Sequence, residues 1–157
     1  MSILSKALKK SLWVYHVGTS GCNNCDIEIL NCLTPRFDVE RFGIKLVGSP
    51  RHADLLLVSG PVATHCKERL EQIYQEVAKP CLVACIGVCA CSMGIFKDAY
   101  SVSGPPDKVI RAIDPNAKIV YIFGCPPRPE AIIMGVVKSM SVINGSASGG
   151  TGAHNEQ

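Results

Sequence analysis

No stretch of this 157-residue chain is suited to crossing a bilayer. The longest segment without charge and with few polar residues, 81–92, is well short of the ~18 apolar residues that a spanning helix requires. Charge of one sign is also lacking: 16 basic against 13 acidic side chains leave a net charge of +3. The lysines and arginines are spread along the chain, so no electrostatic footprint for nucleic acid is visible. No secretory signal opens the sequence, and the nine cysteines are odd in number. A disulfide framework of the small secreted kind is therefore not expected, and a reducing compartment is.

What is present is enough for one core. With 47% hydrophobic residues, the chain is expected to form a single domain over residues 11–140. Residues 1–10, which alternate apolar side chains with Lys6, Lys9 and Lys10, read as a basic arm or short helix. Residues 141–157, rich in Gly, Ser, Asn and Thr, read as a flexible tail.

Within the domain, apolar runs alternate with helical periodicity. Strands are expected at 12–17, 43–47, 54–59, 81–88 and 118–123, each a short run rich in β-branched and aliphatic residues. Helices are expected at 26–33, 64–78, 107–113 and from Pro129 onward. The second buries Leu70, Ile73, Tyr74 and Val77 on one face, the last Ile132, Ile133, Val136, Val137 and Met140. Proline suits the first position of that last helix. Strands that are continuous apolar runs separated by helices predict an α/β fold, a flavodoxin-like doubly wound parallel sheet of about five strands with helices on both faces. In such folds ligands gather outside the carboxyl ends of the strands.

That rule sorts the cysteines. Cys22 and Cys25 lie in a loop after the first strand, Cys89 and Cys91 follow the fourth, and Cys125 follows the fifth in Gly124-Cys125-Pro126-Pro127. All five are expected at one edge. Cys81 and Cys85 fall within a strand and read as core. Cys32 and Cys66, near helix ends, have structural readings as well. Residues two apart in an extended segment point oppositely, so one of Cys89 and Cys91 is expected to face the site. Four converging thiolates suit either zinc or an iron-sulfur cluster. Zinc frameworks usually pair their ligands as two Cys-x-x-Cys knuckles, whereas here one such pair meets isolated cysteines far along the chain, which favours iron and sulfur. A thioredoxin-like dithiol at Cys22 and Cys25 is a third reading.

The segments Gly21-Cys22-Asn23-Asn24-Cys25-Asp26-Ile27-Glu28, Ser59-Gly60-Pro61, Ile86-Gly87-Val88-Cys89 and Gly124-Cys125-Pro126-Pro127-Arg128-Pro129-Glu130 carry a resemblance to a known family. Over about residues 12–138 the chain resembles the small subunit of membrane-bound energy-converting nickel-iron hydrogenases, a relative of the 4Fe-4S quinone-site subunit of respiratory complex I. The resemblance implies one 4Fe-4S cluster on Cys22, Cys25, Cys89 and Cys125, and so selects Cys89 over Cys91. The Cys-x-x-Cys spacing matches the hydrogenase pattern, where the complex I subunit has adjacent cysteines. The chain departs from the family at Ala117-Lys118-Ile119 and Phe123, where Pro-Val-Asp and a proline are frequent, and at Met93-Gly94, where Gly-Gly is usual.

The resemblance further implies that this chain carries no catalytic nickel. A separate large subunit would hold the nickel-iron site and reduce protons with electrons derived from ferredoxin. A ferredoxin-like iron-sulfur subunit and integral-membrane ion-translocating subunits would complete the assembly at the cytoplasmic face of the membrane. Loop amides near Gly21 and Gly60 are candidate donors to the cluster, Arg128 a candidate for tuning or subunit contact, and Glu28 a candidate for a proton route. His16 reads as a packing residue. Within the family, a quinone or sulfur-compound oxidoreductase is the alternative. Outside it, the alternative is a zinc-stabilised interaction module.

Overall fold

The computed structural model describes residues 11–144, with side chains through Ser139. The expectations for residues 1–10, for the burial of Met140 and for residues 145–157 fall outside the described residues.

The elements follow in the order β1 Leu12–Gly18, α1 Asn24–Asn31, β2 Ile44–Leu46, β3 Leu55–Ser59, β4 Val62–Ala63 and α2 Lys67–Glu76. They continue with β5 Leu82–Ile86, α3 Val88–Ser92, β6 Val102–Gly104, α4 Pro106–Ile113, β7 Lys118–Ile122 and α5 Pro129–Asn144. Five strands form a parallel sheet in the order β2-β1-β3-β5-β7. Numbered along the chain, that is the 2-1-3-4-5 order of flavodoxin-like folds, with its switch point between β1 and β3.

The two central strands explain the core. Every residue of β3 and β5 is buried, and successive side chains alternate between faces. Leu56, Val58, Val83 and Cys85 pack with Leu70, Ile73 and Tyr74 of α2 and with Val109 and Ile110 of α4. On the opposite face Leu55, Leu57, Leu82, Ala84 and Ile86 pack with Ile29 of α1 and Ile132 and Val136 of α5. Full burial of one such aliphatic side chain stabilises by about 1.5–3 kcal/mol, so these strands hold the sheet edge that carries the loops.

Several boundaries differ from expectation. The first helix begins at Asn24, so Cys25 lies in its first turn and not in the preceding loop. The expected helix over 64–78 is a 3-10 turn, Thr64–Cys66, followed by α2. The segment read as loop before Pro106 contains α3 and β6, and β6 pairs antiparallel with β4 in a separate two-stranded sheet. Elements of five and three residues are too short to carry a readable hydrophobic period. Helix α5 runs to Asn144, into the stretch read as tail.

Candidate metal centre

The loops after β1, β3, β5 and β7 meet at the carboxyl end of the sheet around a narrow cleft. Cys22, Cys25, Cys89 and Cys125 all line it. Cys22 lies in the β1–α1 loop, Cys25 in the first turn of α1, Cys89 in α3, and Cys125 beside the cis peptide to Pro126 after β7. Cys22 and Cys125 are exposed, and Cys25 and Cys89 half-buried.

Backbone placement brings them there. Gly60 has φ +82°, and a Cβ at that position would run into the Gly21 backbone. The β1 loop therefore lies directly on the β3 loop. Two side chains fasten the contact: Thr19 Oγ1 lies 2.8 Å from the Ser59 carbonyl and 2.9 Å from that of Gly60, and the Ser20 hydroxyl donates to the Pro61 carbonyl at 2.5 Å. Gly87, with φ +87°, precedes α3, and a Cβ there would stand 2.6 Å from Cys25 Sγ. Only glycine lets the β5 turn come this close to the α1 thiol.

The electrostatics tie the four sulfurs together. Burial first, then the neighbouring Cys22, Cys89, Asp26 and Cys125, push the Cys25 thiol up to about 11. Cys89 is raised too, by burial and then by Cys125 and Cys22. Cys25 and Cys89 thus resist ionising first because they are buried and then because other thiols are near. Among the described residues no lysine or arginine lines the cleft, so a cationic group seated among the sulfurs is what would hold them as thiolates. An iron-sulfur core fits that donor set. Among the described residues, no three His, Cys, Asp or Glu side chains are set to hold a single metal ion; the fit rests on the shared cleft and the donor chemistry. A small apolar pocket bounded by residues such as Val14, Ile29, Leu57 and Val136 lies elsewhere and offers no such donors beyond buried Cys32.

The other cysteines sit apart. Cys91 shares α3 with Cys89, so the reason expected for their opposite orientations, an extended segment, does not hold. On a helix two residues are still about 200° apart, and the Cys91 thiol donates to the Cys85 carbonyl at 3.4 Å. Cys32, Cys81 and Cys85 are buried in the core clusters. Cys66 immediately precedes α2.

Of the remaining expected residues, Gly60 lines the cleft and Glu28 and Arg128 do not. A helix starting at residue 26, as the sequence suggests, would put Glu28 in its first turn; because α1 starts at Asn24, Glu28 lies past that turn, half-buried, and accepts from Asn31 Nδ2 at 3.5 Å. Arg128 is exposed ahead of α5. His16 was not legible from sequence. Its Nε2 lies 2.9 Å from Asp26 Oδ1 and 3.2 Å from Ser59 Oγ, in a polar network beside Cys25. The one available signal was the placement of these three residues at strand and helix ends that converge.

The chain is similar to known proteins along nearly its whole length. The profile of one family, NADH ubiquinone oxidoreductase, 20 Kd subunit, matches residues 22–139. The chain is 45% identical to the probable membrane-bound hydrogenase subunit mbhJ of Pyrococcus furiosus, over 98% of this chain and 90% of that protein. It is 43% identical to formate hydrogenlyase subunit 7 of Escherichia coli, over 89% of this chain but 52% of that longer relative. Among solved structures, a chain of the archaeal membrane-bound sulfane sulfur reductase superposes with a TM-score of 0.76 at 38% identity, covering 94% of this chain and 78% of that one.

Proposed function

Because this chain belongs to the NADH ubiquinone oxidoreductase 20 Kd subunit family, we propose that it binds one 4Fe-4S cluster through Cys22, Cys25, Cys89 and Cys125. It is an electron-transfer subunit of a hydrogenase or complex I-like oxidoreductase complex. The observation that carries the cluster reading is the convergence of four thiols, from three separate loop regions, on one cleft at the carboxyl end of the sheet. Such a cluster supplies one-electron transfer when bound. The residues of the chain bind and orient it: Gly60 and Gly87 allow close backbone approach, Thr19 and Ser20 fix the Cys22 loop, and the β5 turn shields Cys25.

More specifically, the complex is a membrane-bound energy-converting hydrogenase. Electrons derived from ferredoxin arrive through a ferredoxin-like iron-sulfur subunit, pass through this chain, and reach a nickel-iron site on the large subunit for proton reduction coupled to ion translocation. Among the described residues no helix is long and apolar enough to cross a membrane. In this reading the chain attaches to the cytoplasmic face through integral-membrane partner subunits. Ile27 and Leu30 of α1 are more than half exposed close to Cys25, an apolar surface suited to burial against the large subunit, with Glu28 on the same helix; Arg128, exposed ahead of α5, is a further candidate for that contact.

The similarity to a sulfane sulfur reductase chain favours one second reading, the equivalent cluster subunit of a sulfur-compound or quinone reductase. The two are separated by purifying the native complex anaerobically and assaying it with reduced ferredoxin. Hydrogen evolution together with nickel in the large subunit supports the hydrogenase. A nickel-free complex that reduces sulfur compounds or quinone instead supports the second reading.

A further inference from the structure

The His16–Asp26–Ser59 network stands where β1 and β3 part, one residue from a cluster thiol, and the ligand set itself makes no use of it. Ser59 ends β3 and is 1% exposed. Its hydroxyl donates to Asp26 Oδ1 at 2.5 Å. His16, on β1, places Nε2 2.9 Å from that same oxygen. One carboxylate oxygen is thus engaged by groups from two strands, while the residue itself sits in the first turn of α1.

An acidic residue in the first turn of a helix is already favoured by the helix dipole. Anchoring it to two strands adds something different: it fixes where the charge points. Asp26 lines the cleft beside Cys25, and its charge is among the causes that raise the Cys25 thiol. Because Thr19 and Ser20 already pin the other end of this turn to the β3 loop, the turn has little freedom to move its carboxylate away.

We propose that His16 and Ser59 are positioning residues that hold the Asp26 carboxylate beside Cys25, where its negative charge lowers the reduction potential of the cluster. The inference rests on the cluster reading above. Adding an electron next to a fixed negative charge is disfavoured, and in a half-buried site the effect is screened less than in water.

The test uses the intact complex, reduced stepwise with dithionite while the cluster is followed by electron paramagnetic resonance. Asp26→Asn keeps the shape of the side chain and removes its charge. It is expected to raise the reduced-to-oxidised ratio at a fixed poise at least tenfold, about 59 mV for a one-electron couple. Measured at alkaline pH, where an imidazole is neutral, His16→Ala leaves the carboxylate charge but frees it toward water, giving a smaller shift in the same direction; His16→Gln, which returns a neutral donor, restores the wild-type potential. An intact cluster with unchanged potential in Asp26→Asn overturns the inference and leaves the cluster reading standing. If Asp26→Asn fails to retain the cluster, the His16 pair decides: no shift in His16→Ala, or one that His16→Gln does not reverse, also overturns it. A wild-type complex holding no iron-sulfur cluster at this chain overturns the cluster reading, and the inference with it.

Discussion

The chain contains two populations of cysteine that differ in where they stand relative to the ends of strands. Cys22, Cys25, Cys89 and Cys125 follow strands and line one cleft. Cys32, Cys81, Cys85 and Cys91 face the core or its margin, and the thiols of Cys32, Cys81 and Cys91 donate to backbone carbonyls. Burial heads the causes that raise thiols in both groups. Only in the cleft, at Cys25 and Cys89, are the other proposed ligands foremost among the charges that add to it. Burial pushes Cys81 up to about 12, offset in part by Lys79, and Cys91 up to about 12. A raised thiol is therefore not the mark of a ligand here; Cys25, raised in part by Cys22, Cys89 and Cys125 together, is the thiol whose surroundings report the set.

The sharpest way to break this division is to exchange the roles of neighbours on α3. Cys89→Ala is expected to lose or convert the cluster, read as loss of iron per chain, while Cys91→Ala keeps it. The reverse result would move the ligand to Cys91 and undo the division. Next in size is Gly87→Ala. Its φ of +87° and ψ of 158° lie in a region that is essentially glycine-only, costing about 1–3 kcal/mol for alanine, and the added methyl would press on Cys25 Sγ. Reduced cluster occupancy and a lower melting temperature are expected together; a fall in stability with full occupancy would mean that the glycine serves the backbone alone. Cys85→Ala, fully inside the core, is expected to cost about 1 kcal/mol in denaturant unfolding and to leave iron content unchanged.

The smallest effect concerns pH. In the cluster-free chain, Cys81 and Cys91 stay protonated in the fold up to about 12, against an ordinary value of 9.0. The unfolded chain releases those protons first, so their contribution is fully present below about pH 9 and is lost as pH rises toward 12. Thermal melts of the cluster-free protein at increasing pH should show that decline, and Cys81→Ala should flatten it.

Much of this was legible in the sequence. The continuous apolar runs of β3 and β5 announced strands buried on both faces, and the rule that ligands gather beyond strand ends placed the cleft. The Cys-x-x-Cys pair and Gly-Cys-Pro-Pro were visible as spacing alone, but choosing Cys89 over Cys91 needed the family resemblance. Helix α3 was missed because Val88-Cys89-Ala90-Cys91-Ser92 is shorter than two turns. The sequence around His16 suggests only packing, because its partners, Asp26 and Ser59, are 10 and 43 residues away, and a contact between element ends leaves no local pattern. The pattern of the sequence starts α1 two residues late, which is why Glu28 reads as a first-turn carboxylate but falls past the first turn.

The central claim, one iron-sulfur cluster on four converging thiols, is met most directly by metal and sulfide analysis of the anaerobically purified complex, resolved to this chain. About four irons and four acid-labile sulfides per chain are expected, falling in Cys25→Ala and unchanged in Cys85→Ala. One zinc per chain with no sulfide would contradict the account.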